Sequence, residues 1–245
     1  MINPRLLLAT SGRVLRQLKA DPRSMAILLV VPTMLLLLFF YIYENNRELF
    51  SFIAIGMTVI LPLSLMFIIS SVTMQRERAN GTLERLWTTR LHRADLIGGY
   101  AGAFALLAVI QSLLLVTVMG LFLDVHTQAS WWTLTMIAVV TGVTGLSLGL
   151  FGSAFARSEF QAVQLMPVLI IPQILLSGLL MPRNELPQLL EWISNLLPLS
   201  YAFDAATEAS RSGFTGEVAK DIAICLAFAV GFLVLASTTM PRRTS

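Results

Sequence analysis

The amino-acid sequence predicts an all-α integral membrane protein of six transmembrane helices, and three observations predict it. Of its 245 residues 56% are hydrophobic and only 13% charged, with a mean hydropathy of +0.76, a balance that cannot furnish a water-facing surface. The charged residues also avoid six long segments altogether: 25–42, 50–74, 96–123, 131–156, 160–180 and 222–240 contain no Asp, Glu, Lys or Arg. About 20 apolar residues in a helix cross the roughly 30 Å hydrocarbon layer, and an unpaired charge at its centre costs about 2.5 to 3.5 kcal/mol, so each segment reads as a spanning helix. Finally, the basic residues are lopsided. Arg5, Arg13, Arg16, Lys19 and Arg23, then Arg76, Arg78, Arg85, Arg90 and Arg93, then Arg157, Arg242 and Arg243 fall on one side, against Arg47, Arg183, Arg211 and Lys220 on the other. Cytoplasmic loops retain Lys and Arg, which puts both termini in the cytoplasm.

The elements follow in chain order within a single domain, 1–245. Residues 1–24 form the lead-in. Asn3-Pro4 is a helix start, with Asn as cap and Pro in the first helical position, and Asp21-Pro22 is a stop. Leu7, Ser11, Val14, Leu15 and Leu18 share one face, and Arg5, Arg13, Arg16 and Lys19 are expected to project away from it. A short basic amphipathic helix of this kind lies in the headgroup plane. It serves either as an elbow that also touches a cytoplasmic partner or as a plain topogenic anchor. The first span is retained in the mature protein, because Tyr43, Glu44, Asn45 and Asn46 follow it in place of a small-x-small cleavage site.

Between spans two and three, residues 75–95 form a cytoplasmic loop. Asn80-Gly81 breaks the chain, Thr82 can cap a new helix, and Glu84 suits that helix's positive end. The spacing of Leu83, Leu86 and Trp87 predicts a short helix from Leu83 to about Thr88. It is either a stiff element that passes a push from a soluble partner into the membrane or a solvated turn rich in arginine. Gly142, Gly145, Gly149 and Gly152 draw one stripe down the fourth span, which predicts close helix packing. The fifth span carries Pro167, Pro172, Gln161, Gln164, Gln173 and Ser177, bends and amides that face protein or a water-filled path. Residues 181–221 lie outside the membrane. There Pro187 opens a helix of about ten residues, with Leu189, Leu190, Ile193 and Leu197 on one face. Too short to cross, it is re-entrant or lies on the surface.

Several function classes are excluded. Cys225 is the lone cysteine, and His92 and His126 fall on opposite sides of the membrane. No disulfide within the chain, cysteine metal site or histidine cluster can form. No nucleophile sits beside a base, so the chain is not expected to be an enzyme. A phosphate-cradling loop needs Lys directly after Gly, whereas Lys19 and Lys220 follow Leu18 and Ala219. Energy for uphill work must therefore enter through a partner or an ion gradient, and the spans hold no Asp, Glu or His for a proton route. The net charge of +3 reflects topology and a basic inner face near anionic lipid, not nucleic-acid binding.

Two stretches resemble a known family. Arg76-Glu77-Arg78, Gly81-Thr82-Leu83-Glu84, Leu91, Arg93 and Leu96-Ile97 are similar to the cytoplasmic signature of ABC-2 type permeases, the membrane subunits of bacterial ABC exporters related to daunorubicin-resistance permeases. Pro172-Gln173, Ser177-Gly178, Met181-Pro182, Leu186-Pro187, Ile193 and Pro198-Leu199-Ser200-Tyr201 are similar to the family's second stretch. The resemblance covers nearly the whole chain. It departs at Arg90, where the family often has proline, and at Tyr100, where it often has lysine.

The resemblance implies a permease in the bacterial cytoplasmic (inner) membrane. It would pair with a second permease copy, as a homodimer or heterodimer, and bind two copies of an ABC ATP-binding subunit. ATP and Mg would sit on that partner, with no cofactor on this chain. The loop would be the coupling element, contacting the ATPase through Arg76, Glu77, Arg78, Gly81, Thr82, Leu83, Glu84 and Arg85. The short helices after span five would act as an outer lid. Spans two and five would border the route, making Met57, Ser64, Phe67, Gln173 and Ser177 candidate lining residues. Charge-free spans offer no counter-ion to a polyanion, so the expected cargo is amphipathic or apolar, a drug, an antibiotic or a lipid. The alternatives are export of a lipid-linked glycan, a gradient-driven carrier, and a scaffold that moves nothing.

Overall fold

The structure, a computed structural model, describes residues 4–81 and 92–239. Among the described residues there are nine α-helices and no strand: α1 Pro4–Lys19, α2 Pro22–Ile42, α3 Arg47–Ala79, α4 Arg93–Phe122, α5 Trp131–Gly152, α6 Glu159–Leu176, α7 Gln188–Ser194, α8 Pro198–Ser212 and α9 Gly216–Thr239. Six of them, α2 to α6 and α9, are long and apolar enough to cross a membrane. The short helix expected from Leu83 to about Thr88 lies outside the described residues.

Caps set the helix starts. The Asn46 side chain accepts the Leu49 N–H at 3.1 Å, Ser130 Oγ accepts that of Thr133 at 3.1 Å, and Ser158 Oγ accepts that of Gln161 at 3.2 Å. Each satisfies one of the amides that a first helical turn leaves unpaired.

The bundle is built around α3 and α5, its two most enclosed spans. The glycine stripe explains their closeness. A Cβ on Gly145 would stand 2.2 Å from the Leu63 carbonyl oxygen, and one on Gly149 would stand 2.4 Å from that of Phe67. Ser70 adds a hydrogen bond across the seam, donating to the Leu146 carbonyl at 3.0 Å. Lipid gives helices no hydrophobic reason to associate, so backbone approach and such bonds hold the seam. On the other side of α5, Thr144 donates to the Cys225 carbonyl of α9 at 3.2 Å.

The lead-in helix is docked on the bundle. It buries Thr10, Val14 and Leu18. Gly98 and Gly99 at the start of α4 make room for it, and Ser11 Oγ donates to the Gly99 carbonyl at 2.8 Å.

Four expectations are corrected. The second span's helix runs on to Ala79, which puts Arg76-Glu77-Arg78 on its last turn and not in a loop; Asn80 caps it, and Gly81 takes φ +66. Arginine and glutamate are good helix formers once outside the hydrocarbon. The fifth helix stops at Leu176, ahead of Gly178 with φ +101, instead of reaching 180. The helix expected after Pro187 is only seven residues long. After it comes α8, fifteen residues packed against α9, α3 and α5, where only short pieces were expected. Pro198 stands in its first turn, where the missing N–H has no intrahelical partner to lose.

Candidate functional site at the basic end of the bundle

Where α3 stops and α4 starts, three consecutive side chains reach three different parts of the fold. They leave one helical turn about 100° apart, so neighbours cannot share a target. Glu77 turns inward and is only 6% exposed. Its carboxylate accepts from Arg13 Nη1 of α1 at 3.1 and 3.3 Å, and from Gln17 Nε2 at 3.1 Å. The same guanidinium donates through Nη2 to the Tyr100 hydroxyl of α4 at 2.8 Å, with its Cζ 5.7 Å from the ring centre. Arg76 points outward and pairs through two bonds of 3.1 Å with Glu159, the first residue of α6. Arg78 donates to the Ser153 carbonyl, in the single 3-10 turn that ends α5. At the head of α4, Asp95 accepts the His92 N–H, and Arg93 Nη1 donates to the Thr238 carbonyl at the end of α9.

The last turn of α3 is therefore a brace. It is tied to α1 through Glu77 and by way of Arg13 to α4, to α6 through Arg76 and to the end of α5 through Arg78. Charge-assisted bonds suit this role, being shorter and roughly twice as strong as neutral ones. The Glu77 pair is the sheltered member. The Arg76–Glu159 pair is half exposed and contributes less than its geometry suggests.

This geometry corrects one expectation and adds four residues. Arg13 does not project away from the apolar face of α1 but turns back onto Glu77 and Tyr100. Arg13, Tyr100, Glu159 and Ser153 belong to the site, although only Tyr100 stands out in the sequence, as a departure from the family pattern. Of the residues expected to meet a partner, Arg76, Glu77 and Arg78 are engaged within the chain, and Gly81 takes a positive φ in a turn where a Cβ would meet none of the described residues within 4 Å. Thr82, Leu83, Glu84 and Arg85 lie outside the described residues.

Beside the brace a cavity of about 540 Å³ opens between α1, α2 and α3. Leu18, Leu28, Leu65 and Ile69 make its apolar wall, and Glu77 and Asn80 its polar rim. The five candidate path residues lie on α3 (Met57, Ser64, Phe67) and at the end of α6 (Gln173, Ser177). Met57 packs partly buried against the core. Phe67 is fully buried against Gly149 and Gly152, in the contact between α3 and α5. Ser64 is buried, and its hydroxyl has no partner among the described residues. Gln173 donates to the Leu169 carbonyl at 2.9 Å and keeps a buried, unpartnered Oε1; Ser177 donates to the Ile174 carbonyl at 2.9 Å.

Fold and site together define a polytopic membrane protein several of whose helices are tied to one another at the basic end of the bundle. Comparison with known proteins carries this further. A family described as ABC-2 type transporter matches residues 5–209. The chain is 30% identical to ABC transporter G family member 20 of Dictyostelium discoideum over 209 residues, covering 84% of this chain and 27% of that protein. It is 28% identical to Nodulation protein J of Sinorhizobium fredii over 200 residues, 79% of this chain and 74% of that one. It is 26% identical over 151 residues to the probable multidrug ABC transporter permease YbhS of Escherichia coli, 61% of this chain and 40% of that one. It thus spans about a quarter of the first relative, three quarters of the second and two fifths of the third. The chain belongs to the ABC-2 type transporter family.

Proposed function

We propose that this chain is the permease subunit of an ATP-driven exporter in the cytoplasmic membrane of a bacterium, with both termini in the cytoplasm. It pairs with a second permease copy, and two ATP-binding subunits carrying ATP and Mg sit beneath the pair. The segment 82–91 is the partner's point of contact, with Glu84 and Arg85 as its polar contacts. The observation that carries this reading is the brace: Arg76, Glu77 and Arg78, immediately before that segment, each grip a different part of the fold. A push delivered at the segment then reaches the lead-in helix and three other spans, α4, α5 and α6, at once. Passing a signal through discrete, rigid contacts is what coupling between two sites requires. The absence of charge from the core of the spans supports an amphipathic or apolar cargo, such as a drug, an antibiotic or a lipid. The multidrug permease among its relatives is in keeping with that. The unpartnered Ser64 hydroxyl and Gln173 carbonyl support a route between α3 and α6 once a second copy is present.

Reversing both charges, Glu84→Lys with Arg85→Glu, tests the assignment without any need to know the cargo. The expected result is an about tenfold drop in ATP-binding subunit recovered with the purified chain, since like charges then face each other across the contact. Undiminished recovery, together with undiminished effect of the chain on ATP turnover, contradicts it.

A further inference from the structure

At the end of the bundle opposite the brace, one guanidinium contacts four residues in two pieces of chain, the end of α7 and α8. Arg183 opens the single 3-10 turn Arg183–Glu185 that follows α6. Its Nε donates to Ser194 Oγ of α7 at 2.8 Å, its Nη1 to the Asp204 carboxylate of α8, and its Nη2 to the Asn195 side-chain oxygen just past α7. Its Cζ lies 5.4 Å from the centre of the Tyr201 ring, whose hydroxyl donates to the Asn195 carbonyl at 2.8 Å. Ser194 in turn donates to the Leu176 carbonyl, the last residue of α6, at 2.9 Å. The chain of bonds therefore runs from the fifth span through Ser194 and Arg183 to α8. The Arg183 side chain is mostly enclosed, whereas its partner Asp204 is 40% exposed, so the ion pair is partly screened.

What the clasp holds down is a cover. The Phe203 ring of α8 packs edge-on against Phe52 and comes within 3.0 Å of where a Cβ on Gly56 of the second span would stand. Beneath the first turn of α8, Cys225 of α9 is 2% exposed, and its Sγ donates to the Pro198 carbonyl at 3.5 Å. A cavity of about 580 Å³ lies between this cover and the second span, lined by Phe52, Leu179, Phe203, Asp204, Thr207 and Arg211. Burial pushes the Asp204 carboxyl above its ordinary range while Arg183 pulls it back.

We propose that Arg183 is the clasp of the outer gate, the residue that fastens α7 and α8 over the far ends of the second and fifth spans and whose release uncovers them. It is a positioning residue for the exit step, and in that respect it rests on the transport reading given above. Its test reads the cover alone, so the two can fail separately.

Cys225 is the only cysteine of the chain and lies under α8, so the unaltered protein carries its own reporter. The full chain, in sealed membranes with the outer face exposed, is treated with a membrane-impermeant, positively charged methanethiosulfonate. Cys225 is expected to react slowly in the parent protein. Arg183→Ala removes a set of charge-assisted bonds and is expected to raise the rate about tenfold or more through local opening. Arg183→Lys keeps a cation opposite Asp204 but loses the fork to Ser194 and Asn195, and is expected to raise it about threefold. A parent-like rate in Arg183→Ala overturns the proposal. Should that variant fail to accumulate, Arg183→Lys decides by the same criterion. Global loosening is read separately by Ser112→Cys in a Cys225→Ser background. Ser112 is wholly buried in α4, and the substitution is nearly isosteric. Its labelling should not respond to the Arg183 changes, and an equal rise at that site also overturns the proposal.

Discussion

Gly145→Val should leave little folded protein in the membrane, with the recovered amount falling about tenfold or more. The reason is geometric. The first carbon of any side chain at 145 would stand 2.2 Å from the Leu63 carbonyl oxygen, 2.7 Å from its Cα and 2.8 Å from its carbonyl carbon. These are backbone atoms, so no change of rotamer relieves the overlap and α3 must move away from α5. Parting them also breaks the bond from Ser70 to Leu146. A contrast sharpens the expectation. A Cβ at Gly231 of α9 meets nothing within 4 Å, and alanine is the better helix former by about 1 kcal/mol, so Gly231→Ala should be neutral or mildly stabilising. Membrane yield and detergent-solubilised melting temperature of the two variants check this. Equal behaviour would mean that the seam is not held by backbone approach.

Glu77→Ala should leave the ATP-binding subunit bound but abolish the chain's effect on its turnover. The substitution strands Arg13, which is about a quarter exposed, and frees Gln17. Breaking a buried pair costs about 3 to 5 kcal/mol, and partial exposure of Arg13 brings this down to about 2 kcal/mol. That is enough to undock the middle of α1 from α3 while the fold survives. The variant also separates two roles for this residue. A carboxylate that touched the partner would, when removed, reduce recovery of the ATPase. One that braces the chain reduces only transmission. Arg13→Leu should reproduce the effect, and the double variant should be little worse than either single one, because both remove the same interaction. Strictly additive losses would contradict the brace.

Gly145 and Glu77 also differ in how far the sequence reveals them. The seam at Gly145 is legible because a glycine stripe at helical spacing in a charge-free span has few other uses. The six spans are legible for a related reason, since the cost of charge in hydrocarbon clears about 20 residues at a time. The brace is not. Arg5, Arg13, Arg16 and Lys19 look alike on an amphipathic helix, and what draws Arg13 inward is Glu77, 64 positions away. The charges at 76–78 have the composition of a loop, although nothing in arginine or glutamate ends a helix. The helix ends at Asn80-Gly81, which composition does mark. Tyr100 stands out only as an exception to a pattern. Its hydroxyl gives Arg13 an acceptor where a lysine would have offered a second cation. At the far end, α8 is hard to see because Pro198 resembles a boundary when it is a helix start; its buried face sets Ala202, Ala205, Ala206 and Ala209 beside Leu199 and Phe203.

The central claim is that this chain supplies a path and a linkage but no motor. ATP turnover by the purified chain, by its ATP-binding subunit, and by the two together tests that most directly. The account predicts no hydrolysis from the chain alone and a turnover of the subunit altered at least about twofold by assembly with it, an alteration that Glu77→Ala removes. Hydrolysis by the chain alone, or a subunit whose turnover is indifferent to assembly, would contradict it.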